Sequence, residues 1–165
     1  MKNAFLKCSF LFFALVFVAS CSSDDSGPEE AAPVAFRASV AGQNVRTDNV
    51  TATLSNGGRQ LTVVAPTDFG ALTITLGTNA TDSPFVTNRT YQIDDTGNAS
   101  IRISSLDANF SSNAELGGSI TISEFNTQEM TIFGSFSATV VNSIDSSDTL
   151  SITNGALFNV NYTVQ

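Results

Sequence analysis

The sequence predicts an all-β fold, an antiparallel β-sandwich or flattened barrel of about eight or nine strands. Three observations predict it. Apolar and polar residues alternate with period two from Val34 to the C-terminus. Ser, Thr and Asn supply 54 of the 165 residues while only 13% are charged, a composition suited to pleated, half-buried strands rather than helices. Turn residues interrupt the alternation every 8 to 15 residues or so, and no stretch carries a helical period. With no crossover helices, parallel pairing is not expected.

The strands follow in order. Val34, Phe36, Ala38 and Val40 share one phase, and Ala41-Gly42 ends that run. Val50, Ala52 and Leu54 lead into Ser55-Asn56-Gly57-Gly58, then Leu61 and Val63. Asn-Gly tolerates the positive φ that a tight hairpin turn needs. Leu72, Ile74 and Leu76 form the next strand, Tyr91 and Ile93 a short one, and Ile101 and Ile103 another. Ile120 and Ile122 set a phase that Glu124-Phe125 reverses, which predicts a bulge or a strand end there. Met130, Ile132, Gly134, Phe136, Ala138 and Val140 share one face. Leu150, Ile152, Ala156, Phe158, Val160, Tyr162 and Val164 keep even parity around Asn154-Gly155, which is either a hairpin turn or a bulge in one long strand; unbroken parity favours the bulge. Phe136 and Phe158 are expected in the core, and Gly134 is expected to admit a close neighbour.

The segment before Val34 divides in two. Lys2 and Lys7 precede a ten-residue apolar run, Phe10 to Ala19. It is too short to span a bilayer and has the shape of a secretory signal. Val18-Ala19-Ser20-Cys21 then resembles the lipobox of bacterial lipoproteins. The resemblance implies cleavage before Cys21 and a diacylglycerol on its thiol. Residues 1–20 are thus expected to be a signal peptide and 34–165 a single β-domain. Residues 21–33, with four acids, two Pro and one Gly in Ser22 to Pro33, read as a tether. Asp24 and Asp25, shortly after the lipidated Cys, resemble the surface-export signal of Bacteroidota lipoproteins. That resemblance implies an outer-membrane location, lipid-anchored and exposed at the cell surface.

A further resemblance lies in the C-terminal part. Gly118-Ser119-Ile120-Thr121-Ile122, Thr131-Ile132-Phe133-Gly134-Ser135-Phe136 and Ile152-Thr153-Asn154-Gly155-Ala156-Leu157-Phe158 resemble a family of Bacteroidota lipoproteins with a domain of unknown function. Its pattern is approximately G-x-I-T-I, T-I-x-G-x-F and I-T-x-G-x-F. The third block departs from it, with Leu157 before Phe158 as though one residue were inserted. The resemblance implies no activity.

The chemistry open to the chain is narrow. There is no His, so Ser-His or Cys-His catalysis and His-ligated metals are excluded. The processed chain keeps five Arg against fifteen acids, a side-chain net charge of −10, which argues against a nucleic-acid partner. Its only Cys is Cys21, so no internal disulfide can form. Asp94-Asp95 and Asp145-Ser146-Ser147-Asp148 could offer oxygen ligands to calcium, but neither has the alternating acid spacing and closing Glu of an EF-hand, turn chemistry is the favoured reading, and no metal or cofactor is expected. Asp107, Glu115, Glu124 and Glu129 are the acids available to a glycosidase-like pair. Phe69, Phe85, Phe110 and Phe133 fall off the main apolar phases and could contact a ligand or cover a sheet end. Asp148-Thr149-Leu150 resembles a Bacteroidota O-glycosylation site. The expected role is a membrane-anchored, non-enzymatic binding or structural domain whose glycan or protein ligand is unidentified. The alternatives are a small carboxylate-dependent hydrolase and a carrier of an apolar ligand inside a barrel.

Overall fold

A β-domain without disulfides can be held together only by its apolar strand faces and its hydrogen-bond ladder, and both are visible here. The computed structural model describes residues 34–77, 85–94, 96–105 and 107–165, all within one compact unit, Pro33–Gln165. The described residues form eleven strands. They are β1 (Phe36–Val40), β2 (Gln43–Thr47), β3 (Thr51–Ser55), β4 (Gln60–Thr67), β5 (Gly70–Gly77), β6 (Arg89–Gln92), β7 (Ala99–Ser104), β8 (Asn109–Ser112), β9 (Gly118–Asn126), β10 (Thr131–Asn142) and β11 (Thr149–Val164). They join in one sheet of order β2-β1-β11-β3-β4-β5-β7-β8-β10-β9-β6, with a further pairing of β11 to β10.

That extra pairing closes a ring of seven strands, β11-β3-β4-β5-β7-β8-β10, into the flattened barrel. The two long strands make closure possible by each serving two neighbours along one edge. β10 pairs with β9 over Thr131 to Ala138 and with β8 over Val140 to Asn142. β11 pairs with β1 over Ile152 to Leu157 and with β3 over Tyr162 to Val164. The last contact is parallel, unlike the all-antiparallel expectation. It needs no crossover helix because β3 and β11 lie far apart in the chain and meet only at the seam. Gln165 N–H donates to the Leu54 carbonyl at 2.9 Å and extends the seam.

Alternation places the core as expected. Phe36, Val40, Leu61, Leu72, Ile74, Ile101, Ile103, Ile120, Ile122, Ile132 and Ile152 are almost fully buried in one cluster. Asn56, Gly57 and Gly58 all adopt positive φ and join β3 to β4, the hairpin that Asn-Gly announced. β2 and β8 were not expected. Each contains a single buried apolar residue, Val45 or Phe110, too few to display a period, and each is a strand because of its neighbour's ladder. The phase reversal in β9 is a bulge: Phe133 faces Glu124 but Gly134 faces Ile122, leaving Ser123 extra. Met130 departs from its expected face; it sits in the β9–β10 loop with positive φ and is exposed.

β11 is one strand with two bulges, not one. Between Ala138/Ile152 and Phe136/Gly155 it gains a residue near Asn154, and between Gly134/Leu157 and Ile132/Val160 another near Asn159. Both asparagines have positive φ, 52° and 51°, which Asn tolerates better than branched residues. Each bulge reverses the inward phase, so Ile152, Gly155, Leu157, Val160 and Tyr162 are the buried positions. The expectation for Phe158 is therefore corrected. It points outward, 45% exposed, and packs edge-on against Phe133 with ring centroids 5.2 Å apart. Two bulges restore the even phase at Val160, which is why the parity looks unbroken in the sequence.

Small residues inside this seam admit close neighbours. A Cβ on Gly134 would lie 2.6 Å from the Thr121 carbonyl oxygen, and one on Gly155 would lie 2.5 Å from the Phe136 ring. Phe136 faces Gly155 directly in register and packs on Phe36 with centroids 5.5 Å apart. Gly155→Ala is expected to destabilise by about 1–3 kcal/mol through overpacking, and Phe136→Leu in the same chain to recover part of the loss. Urea unfolding of the single and double variants reads this, and additive losses would contradict the contact. Leu157→Ala is expected to cost about 2–5 kcal/mol but Phe158→Ala only about 1 kcal/mol, the worth of an aromatic pair. The opposite ranking in the same assay would contradict the two-bulge register.

Candidate functional site

The outer face of β2-β1-β11-β10-β9-β6 is a continuous surface, and its register brings chosen side chains into line. Arg46 faces Arg37, Arg37 faces Ala156, Ala156 faces Ser135, Ser135 faces Thr121 and Thr121 faces Thr90. Six consecutive strands thus contribute one row. At its far end the Thr90 and Thr121 hydroxyls hydrogen-bond to each other at 2.9 Å. At its near end two arginines stand side by side.

The arginine pair is built by a two-residue turn. Ala41 and Gly42 have φ of 50° and 80°, the two positive values that a tight primed hairpin turn requires. This turn fixes the β1–β2 register with Val40 opposite Gln43, hence Arg37 opposite Arg46. Both are exposed, and among the described residues neither has an ion-pair or hydrogen-bond partner. Like charges directly opposed on neighbouring strands oppose folding. Here two of the five arginines of an acidic chain are placed in that arrangement.

Beside the pair lies an open groove of about 580 Å³, bordered by Arg37, Ser39, Asn44, Arg46, Ser135 and Asn154, with Gly155 and Ala156 in its floor. The bulge at Asn154 creates that floor. By reversing the phase it turns the short Ala156 outward between Arg37 and Ser135. A second groove of about 520 Å³ lies on the other side of β2, between Arg46 and the β4–β5 turn with Pro66, Thr67 and Asp68. The chemistry on offer in the first groove is two guanidinium forks, each able to hold a planar anion bidentately, with hydroxyl and amide groups alongside.

The residues singled out in the sequence are distributed differently. Cys21, Asp24, Asp25 and Asp95 lie outside the described residues. Asp94 accepts hydrogen bonds from the Thr96 hydroxyl and from the Thr96 N–H at 2.9 Å, and these hold its carboxyl below the usual range, the hydroxyl contributing most. Asp145 is treated alike by the Ser147 hydroxyl at 2.7 Å and N–H at 2.9 Å, and is likewise lowered. Asp148 accepts from the Asn142 side chain at 2.9 Å. These carboxylates shape turns. Asp107, Glu115, Glu124 and Glu129 are all exposed. Among the described residues no three of His, Cys, Asp and Glu gather as a metal site.

The off-phase phenylalanines divide. Phe85 and Phe110 are buried and Phe69 packs against the core. Phe85 also joins Tyr91 and Phe125, with Phe125 stacked on Tyr162 at 5.1 Å. Burial raises the Tyr162 phenol above its ordinary pKa. Only Phe133 takes part in an outer-face patch, with Phe158. Thr149 is exposed at the start of β11.

Sequence reading missed Arg37 and Arg46 because β2 shows no period. The available signal was the pair Ala41-Gly42. Once it is taken as a two-residue turn, positions equidistant from it, Arg37 and Arg46 among them, must face each other.

The profile of a family described as Domain of unknown function (DUF6252) matches residues 32–161. No curated protein and no solved structure matches the chain. Relief of the charge repulsion is expected to make Arg46→Gln more stable than the parent by about 0.2–1 kcal/mol at low salt, the gain shrinking in 1 M NaCl as the charges are screened. Urea midpoints at the two salt concentrations measure this. A salt-independent loss of stability would show that Arg46 contributes packing instead.

Proposed function

Because the chain belongs to the DUF6252 family of domains of unknown function, a membership that carries no activity with it, we propose a role from its own residues: a lipoprotein of the outer membrane, displayed at the cell surface, whose β-domain binds a ligand rather than transforming one. The anchor in this reading is Cys21, following Val18-Ala19-Ser20 and the apolar run Phe10 to Ala19. Asp24 and Asp25 supply the export signal. Two or more acyl chains on one residue anchor durably where a single chain does not.

The observation that carries the binding role is the Arg37–Arg46 pair beside its groove. A fold gains nothing from opposing two cations on adjacent strands. The arrangement is intelligible as a surface kept for an anionic partner.

Cys21→Ala is expected to move the protein from the membrane fraction to the soluble fraction, and Asp24→Asn with Asp25→Asn to leave it membrane-bound but shielded from protease added to intact cells. Fractionation and protease shaving in a host with a lipoprotein surface-export route measure both. Membrane retention of Cys21→Ala would refute lipidation, and undiminished shaving of the Asn variant would refute the export signal.

A further inference from the structure

Resting on the reading of the domain as a binding module, we infer that the groove beside Arg37 and Arg46 takes an anionic saccharide, a linear sugar chain bearing carboxylates or sulfates, laid across the strands of the outer face. Four features of the surface specify this ligand.

The first is charge. Arg37 and Arg46 face each other in register, both exposed, in a chain of net charge −8. The protein as a whole repels anions, so a local cationic pair selects ligands that present an anionic group at this point. The guanidinium fork matches the oxygens of a carboxylate or a sulfate.

The second is the character of the remaining walls. Ser39, Asn44, Ser135 and Asn154 border the groove and offer hydroxyl and amide groups, which both donate and accept. They suit a ligand rich in hydroxyls. Among the described residues no aromatic ring borders the groove; the outer-face pair Phe133 and Phe158 lies beside the row, two residues along β10 and β11 from Ser135 and Ala156, so within the groove itself affinity depends on the arginines.

The third is direction. The row Arg46, Arg37, Ala156, Ser135, Thr121, Thr90 crosses six strands, which at the usual strand spacing is roughly 24 Å. Short side chains hold its middle low. An extended chain of several sugar rings can follow such a strip, its anionic group at the arginine end and its hydroxyls towards Thr121 and Thr90.

The fourth separates a saccharide from an acidic peptide. Peptides recognised by sheets add to an edge and bond through backbone groups. The row lies on the face of the sheet: among the described residues only its end strands, β2 and β6, keep a free edge, whereas from Arg37 to Thr121 it crosses β1, β11, β10 and β9, whose backbone is already engaged in ladders on both sides. Recognition there uses side chains alone, the vocabulary of sugar binding.

The test uses the full mature chain, lipidated and held in detergent micelles, titrated calorimetrically with hexagalacturonate, a heparin-derived hexasaccharide, maltohexaose and hexaglutamate. Binding of at least one anionic hexasaccharide is expected, weakened at least tenfold between 50 and 500 mM NaCl. Arg37→Gln and Arg46→Gln are each expected to weaken it at least tenfold and together to abolish it. Arg102→Gln, outside the row, is expected to leave it unchanged. Circular dichroism of each variant confirms folding. Failure of both anionic sugars to bind, equal binding of maltohexaose, tighter binding of hexaglutamate, or indifference to the two arginine substitutions in folded protein would each overturn the assignment. Chromatography of the sugar after titration separates the two claims. Arginine-dependent binding with cleavage would uphold the site while refuting the non-enzymatic reading, and intact sugar upholds both.

Discussion

Everything in this domain depends on how β11 is hydrogen-bonded. That strand gives one edge to β10 and divides the other between β1 and β3. Without the final three pairs, Tyr162 to Ala52, Thr163 to Thr53 and Val164 to Leu54, the ring would be an open sheet with long unpaired edges. No disulfide is available to close it by other means. A sixteen-residue strand cannot serve three partners while straight, and the bulges at Asn154 and Asn159 supply the bends.

The same bulges determine what faces inward and what faces out. Between them the phase is reversed, so Gly155 lies under the Phe136 ring and Leu157 fills the core, while Ala156 and Phe158 turn to solvent. Ala156 becomes the low point between Arg37 and Ser135. The core contact and the groove are therefore two faces of one irregularity, and a change that straightened β11 would disturb both together.

Much of this architecture could be read from the chain because the long strands announce themselves. Phe36 to Val40, Leu72 to Leu76 and Ile132 to Val140 each carry three or more inward apolar residues at strict alternation. The reversal at Glu124-Phe125 marked the β9 bulge correctly. The strands β2 and β8 could not be read, since Val45 and Phe110 each stand alone and a single residue has no period. The parallel seam between β3 and β11 is a long-range closure that local pattern does not encode. Phe158 was misplaced because two phase reversals cancel, leaving Leu157, one residue earlier, to take the buried position. The groove was hidden for a related reason: Arg37 and Arg46 are unremarkable until β2 exists to oppose them. Asp94 and Asp145, conspicuous in the sequence, cap local turns.

Native-state hydrogen exchange across β11 tests the closure most directly, because amide protection reports the free energy at which each ladder opens. If β11 is the element that closes the barrel, its amides from Leu157 to Val164 exchange only with global unfolding, together with those of Ile132 and Phe136 on β10 and Leu54 on β3. If those β11 amides exchange at markedly lower free energy than the β4–β5 hairpin, the barrel holds without its seam and the account is wrong.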